Sequence, residues 1–199
     1  MHRVWAFALL TACYQPGTFD QRDSGSGMDA DAADVDAPPD GFLDGCPTNY
    51  QVAGAGRYRL DTTERFWFAA QDACALDQQT TAAPLIRTHL AIITSREELE
   101  AVGMISTTAF WVGYTDLDTE GAWHHITTES SDYPGSSKGD DADDPWNIGE
   151  PNGSTNENCA IIFSGAGAPK FDDRPCNNGT TMFFALCECD ANEAMLPGG

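Results

Sequence analysis

The sequence predicts an α+β domain with an antiparallel sheet, and three observations carry that prediction. Two segments have helical spacing, yet strands separate them without the repeated strand–helix–strand units of a parallel sheet. Several short apolar runs bounded by turn residues read as strands. No internal repeat is visible in the 199 residues, so one domain of ordinary size plus a tail accounts for the length.

Tyr58-Arg59-Leu60 reads as a short strand. From Thr62-Thr63-Glu64 a segment begins in which Phe66, Ala69, Ala70, Ala73, Cys74 and Asp77 recur at helical spacing. Residues 78–88 are polar and loop-like, and His89-Leu90-Ala91-Ile92-Ile93-Thr94 is a buried strand candidate. Ser95 with Glu98 three residues on forms a capping box, and Leu99, Val102 and Ile105 give the second helix an apolar stripe. Phe110-Trp111-Val112-Gly113-Tyr114 is an apolar strand. From Asp116 to Asn158 the chain is rich in Gly, Pro, Asp, Ser and Asn and has little periodicity. A stretch of that length inside a compact domain is uncommon and usually functional, and it needs something other than a core to hold it. Cys159-Ala160-Ile161-Ile162-Phe163 and residues 182–187 read as two closing strands.

The chain carries 31 acidic against 10 basic residues, a formal net charge of −21. That balance argues against nucleic acid as a partner, because such binding depends on Lys and Arg neutralising phosphates. It suits a protein that attracts cations. At the N-terminus, His2 and Arg3 precede the apolar stretch Val4 to Leu10, and Leu10-Thr11-Ala12-Cys13 follows. Residues 1–12 read as a short signal peptide, and the last four residues resemble a bacterial lipobox whose Cys13 becomes lipidated. The expectation is an exported protein, anchored by lipid at Cys13 to an outer membrane or cell surface. Residues 13–45 form an acidic, disordered tether, with eight aspartates against Arg22 between residues 14 and 45. Asp29-Ala30-Asp31 and Asp34-Val35-Asp36 lack the glycine and terminal glutamate of an EF-hand loop. The folded domain spans 46–190, and 191–199 is a disordered tail.

Apart from Cys13 there are six cysteines, at positions 46, 74, 159, 176, 187 and 189. An even set in an exported chain indicates three disulfides, for which fifteen connectivities are open. Zinc is the rival reading, but Cys187-Glu188-Cys189 is spaced more tightly than the usual zinc pair and nothing completes it.

Oxygen-bearing side chains gather in the last third: Glu150-Pro151-Asn152, Glu157 and Asp172-Asp173. Calcium takes six to eight hard oxygens from carboxylates, amide carbonyls and water, and this set offers those without a soft ligand. A cis bond before Pro151 would hold its two flanking carbonyl groups on one side. Acidic loops are often merely solvated, so composition alone is a weak signal. His124-His125 read as surface residues, because adjacent strand positions face opposite ways. Trp111, Trp123 and Trp146 read as core, and Asp140 to Asp144 as a solvated loop.

From Trp67 to Glu188, about 120 of 199 residues, the chain resembles the C-type lectin family motif by motif. Trp67 to Cys74 resembles the first helix with its cysteine, and Leu90 to Ser95 with Glu98 the strand into the second helix. Phe110-Trp111-Val112-Gly113-Tyr114 resembles the signature strand, and Glu120-Gly121-Ala122-Trp123 with Trp146 the long loop region. Gly149-Glu150-Pro151-Asn152, Asn156-Glu157-Asn158-Cys159, Phe171-Asp172-Asp173 with Cys176, and Phe184 to Glu188 complete the order.

The resemblance implies two helices with small antiparallel sheets, a long calcium-binding loop region and disulfide bonds. It implies calcium held by Glu150, Asn152, Glu157, Asp172 and Asp173, with sugar hydroxyls bound through Glu150, Asn152, Glu157 and Asp172. The Glu-Pro-Asn order is associated with mannose, glucose and fucose, and Gln-Pro-Asp with galactose. Asp116 and Glu120 match part of an auxiliary calcium site, but Gly153 and Asn158 stand where carboxylates are usual. Asp172 replaces the usual Asn and loses an amide donor, and Phe171 replaces Trp. Cys74–Cys187 and Cys159–Cys176 are the implied disulfides, leaving Cys46 with Cys189. Two functions follow as expectations: calcium-dependent glycan binding at a cell surface, or a calcium-ordered module that binds a protein or peptide. No catalytic arrangement stands out, and a related enzyme family needs a reactive cysteine pair that these paired cysteines do not supply. The chain is therefore expected not to be an enzyme.

Overall fold

The computed structural model of the chain describes residues 45–80, 85–164 and 167–195. The signal-peptide segment 1–12, Cys13, almost all of the tether and residues 196–199 lie outside the described residues. The described elements are β1 (Gln51–Ala53), β2 (Gly56–Arg65), α1 (Trp67–Leu76), β3 (Arg87–Leu90), α2 (Arg96–Gly103), β4 (Phe110–Thr115), β5 (His124–His125), β6 (Cys159–Phe163), β7 (Lys170–Arg174) and β8 (Phe183–Asp190). Short 3-10 turns cover Asp77–Thr80 and Ser154–Asn156.

The strands join in the order β1-β2-β8-β4-β6-β7, with β3 added on β8 and β5 on β4. The expected small antiparallel sheets are thus one connected sheet of eight strands. Its pairs are antiparallel except β4 with β8, where Phe110 faces Phe184 and Trp111 faces Ala185 in parallel register. Chain-end strands β2 and β8 lie side by side, with Tyr58 opposite Glu188 and Leu60 opposite Leu186.

Thr62, Thr63 and Glu64 belong to strand β2, and the first helix starts only at Trp67. Its buried face is Trp67, Ala70, Gln71 and Cys74, whereas Ala69 is exposed. The helix is therefore turned by about one position from the predicted stripe, because the large Trp67 ring takes the core position. Its indole donates to the Val112 carbonyl at 2.8 Å, so the ring buries its single polar group satisfied. In α2, Ser95 accepts from the Glu98 N–H at 3.2 Å as predicted. Glu98 reaches back one residue further than the box requires, accepting from Thr94 N–H at 2.8 Å and Thr94 Oγ1 at 2.9 Å. Leu99 and Val102 are fully buried.

The buried run after His89 is a strand only to Leu90. Ala91, Ile92 and Ile93 remain in the core without a regular ladder. Ala91 N–H donates to Leu186 at 2.8 Å and Gly113 N–H to Ala91 at 2.9 Å. That close approach explains Gly113 in β4, since a Cβ there would lie 2.8 Å from the Leu90 carbonyl oxygen.

The long loop was expected to need something other than a core, and the structure corrects this. Trp123 packs on Trp146 at 4.9 Å between ring centroids, and Trp146 on Phe171 at 5.5 Å. Tyr133 and Tyr114 flank Phe171 at 6.1 and 5.5 Å. These aromatics give the loop an apolar floor continuous with the main core, as the reading of Trp123 and Trp146 as core residues predicts. Three disulfides close the domain: Cys46–Cys189, Cys74–Cys187 and Cys159–Cys176. Past β8, residues 191–195 are tied back rather than free: Ala194 bridges Thr127 and Met195 N–H donates to the Ile126 carbonyl.

Candidate functional site

The loop that runs into Asn158 and the strand β7 meet at the oxygen cluster. Gly149 has a left-handed φ of 86°, a conformation that favours glycine, and it turns the chain into Glu150. The Glu150–Pro151 peptide bond is cis. The strand β7 pairs with β6 so that Asp173 faces Ala160 and Asp172 faces Ile161, which buries both aspartates at the sheet edge.

Ligand atoms of Glu150, Asp172 and Asp173 lie within 4.8 Å of one another. Asp173 Oδ2 accepts from the backbone N–H groups of Asn152 at 2.9 Å and Gly153 at 2.7 Å. Asn152 therefore joins the cluster through its backbone, and its side-chain amide donates to Glu150 Oε2. Glu157 stands outside the group of three, and the Asp173 carboxylate still acts on it. The space at residue 153 explains the glycine there: a Cβ would lie 2.1 Å from the Cβ of Glu157.

Burial, then contact with Asp173 and the charge of Asp172, pushes the Glu150 carboxyl up to about 7. Burial pushes Asp172 up to about 6, with Arg174 opposing and Asp173 reinforcing the shift. Burial, then Asp173, raises Glu157. Glu150, Glu157 and Asp172, crowded this way, hold their protons more tightly than free carboxyl groups, and a divalent cation would relieve the repulsion.

The oxygen set fits calcium on a separate observation. Asp173 Oδ1 is buried with no hydrogen-bond partner, as is Asp116 Oδ1. Buried carboxylate oxygens without a donor are costly, and a cation in the cluster would satisfy Asp173 Oδ1. Glu150, Asn152, Glu157, Asp172 and Asp173 would hold the ion. Bound there, calcium would supply a dication that also takes hydroxyl oxygens of a ligand.

The auxiliary pair is placed beside this group. Asp116, Glu120 and Asp173 line one cleft of about 280 Å³ with Trp123, Lys138 and Asn152. Asp116 follows β4 and is buried, accepting from the Gly121 N–H at 2.8 Å, while Glu120 is exposed. Burial and then the charge of Asp173 raise Asp116, and desolvation with the charges of Asp116 and Asp173 raises Glu120.

His124 is exposed and His125 half-buried on opposite faces of β5. The Asp140–Asp144 run is largely exposed, and Asp144 Oδ2 accepts from the Asp141 N–H at 3.1 Å. Sequence reasoning missed Arg174, which grips Asp172. Its signal was available, since a basic residue two positions on along a strand shares the face of Asp172. It also missed a second acidic group of Glu129, Glu188 and Asp190, with His89 Nε2 at 3.0 Å from Asp190. Glu188 and Asp190 lie two apart on β8 and share a face, but Glu129 and His89 come from other segments, and nothing local marks that meeting.

These features define a disulfide-bonded domain that presents a cluster of hard oxygens on a long loop above an aromatic floor. The sequence model of the family described as "Lectin C-type domain" matches residues 63–189, and the chain belongs to that family. A similar curated protein is C-type lectin domain family 4 member M of Gorilla gorilla gorilla, 31% identical over 135 residues, covering 66% of this chain and 31% of that protein. The chain thus spans about a third of the length of the curated relatives it matches. Among solved structures, the cow CD23 carbohydrate-recognition domain, determined in the presence of a GlcNAc2Man3 oligosaccharide, shares the fold with a TM-score of 0.55 and 22% identity, covering 77% of this chain and 99% of that one. A calcium-independent type II antifreeze protein shares it equally, at TM-score 0.55 and 21% identity, covering 74% and 95%.

Proposed function

We propose that the chain binds glycans through calcium, taking vicinal hydroxyls of mannose-, glucose- or fucose-type sugars. The observation that carries this reading is the group of Glu150, Asp172 and Asp173, with Asp173 Oδ1 buried and unpartnered. Glu150 and Asn152 flank Pro151 in the order associated with those sugars. Membership of the lectin C-type family and the likeness to a C-type lectin domain protein at 31% identity support a sugar as the ligand class. The test is a glycan array on the described domain, with calcium and again with chelator. Signal on mannose-type glycans that chelator abolishes is the expected result, and no glycan signal in calcium sinks the reading.

A second reading is a calcium-ordered module that binds a protein or peptide. One observation favours it: Arg174 occupies both oxygens of Asp172, the position that already lacks an amide donor. Calcium-stabilised folding without any glycan signal selects it.

The setting proposed is a cell surface, with lipid on Cys13 and the acidic segment 13–45 as tether. Cys13→Ser should leave the protein unlipidated while the domain still forms three disulfides. Mass spectrometry of the mature protein checks this, and retention of residues 1–12 overturns it.

A further inference from the structure

Along β7, residues two apart share a face, so Arg174 stands beside Asp172. Its guanidinium takes both carboxylate oxygens, Nη1 donating to Oδ1 and Nη2 to Oδ2 at 2.9 Å. Nη1 also donates to the Asp173 carbonyl at 2.6 Å. The Asp172 side chain is 6% exposed and that of Arg174 33%, so the carboxylate is enclosed while the guanidinium reaches the surface. The same cation acts on Glu150 and Glu157, so three of the four candidate carboxylate ligands feel it.

An ionised carboxylate only accepts hydrogen bonds, whereas an amide in its place would offer one oxygen to a cation and two N–H donors to a ligand. Asp172 thus removes a donor from the edge of the oxygen cluster. A guanidinium carries five N–H donors in a rigid fork, and the bonds above use three of them. Each carboxylate oxygen has a further lone pair, so an Asp172 held by Arg174 can still face a metal ion.

We propose that Arg174 is a specificity-determining residue of this site, supplying a sugar hydroxyl with the hydrogen-bond donor that Asp172 lacks. The inference rests on the glycan reading of the site. Asp172 and Arg174 then act as one unit, the first offering oxygen to calcium and the second N–H to the ligand. The arrangement weakens calcium binding, because a positive charge sits within hydrogen-bond distance of a ligand carboxylate.

The test compares the domain as wild type, Arg174→Ala, Asp172→Asn and the double variant. Calorimetry gives calcium affinity, and free mannose competing against a mannose-bearing neoglycoprotein at saturating calcium gives sugar affinity. Arg174→Ala should bind calcium more tightly and yet bind mannose roughly tenfold more weakly, since it loses a charged hydrogen bond. Asp172→Asn with Arg174→Ala should recover most of the mannose affinity, because the amide returns the donor. Unchanged mannose affinity in Arg174→Ala overturns the inference, as does a double variant no better than Arg174→Ala. Calcium and mannose affinities that fall together overturn it too, since they mark Arg174 as a structural residue only. A wild type that binds calcium but no sugar overturns the glycan reading itself, and the inference with it.

Discussion

Glu150 and Asn152 lie on either side of Pro151, and the Asn152 amide donates to Glu150 Oε2. One brings two acceptors and the other an acceptor with two donors. Exchanging which residue carries the amide reverses donor and acceptor positions without changing net charge. The double change Glu150→Gln with Asn152→Asp should therefore keep calcium binding nearly intact. It should weaken mannose-type ligands and favour galactose-type ones, with about 1–3 kcal/mol at stake in a mispaired hydrogen bond. Competition by free monosaccharides at fixed calcium measures the ranking, and an unmoved ranking would show that these two residues do not read the sugar.

Strands β3 and β8 and the segment after β5 meet at a second acidic group. Glu129, Glu188 and Asp190 bring carboxylate atoms within 4.8 Å of one another. His89 stands 3.0 Å from Asp190, and Thr127 donates to Glu129 at 3.0 Å. Burial, then the charge of Asp190, pushes the Glu129 carboxyl up to about 7 from its usual 4.5. A raised carboxyl favours the protonated folded state, so its stabilising effect is complete below the unfolded value. It is lost as pH rises through the folded value. Glu129→Gln should thus be less sensitive to pH between about 4.5 and 7 than the parent. At about pH 8 it should be more stable, by roughly 1 kcal/mol, because Glu129 is half-buried and solvent screens much of the full shift. Thermal melts across that range check this. A variant less stable than the parent at the alkaline end would show that the carboxylate is paired rather than repelled.

For the whole molecule, the disulfide Cys46–Cys189 joins the beginning of the domain to the end of its sheet, across a sequence separation of 143. Cys74–Cys187 ties α1 to β8, and Cys159–Cys176 ties β6 to the segment after β7. The site hangs on that last edge, and four like charges oppose its closure. Calcium at about 100 times its dissociation constant should add roughly 2.7 kcal/mol. For a domain of this size that raises the melting temperature by several degrees. Calorimetric scans with millimolar calcium and with chelator measure the difference, and identical melting temperatures would refute calcium at this site.

Local chemistry made much of this molecule legible in its sequence. The cap of α2, its Leu99 and Val102 stripe, the buried strand β4 and the extent of β6 depend on neighbours a few residues away. Periodicity and side-chain chemistry report such neighbours directly. The oxygen residues were likewise visible as types, and their ordered motifs marked the family. Only the tertiary structure decided which groups meet across the chain. It turned α1 onto its Trp67 face and set β4 parallel to β8. It also packed Trp123, Trp146 and Phe171 under the loop, brought the Asn152 N–H to Asp173 and closed Arg174 on Asp172. Those contacts join segments far apart in sequence or depend on which face of a strand is enclosed. A side chain's partner is then fixed by the packing of the whole sheet, and no local pattern records it.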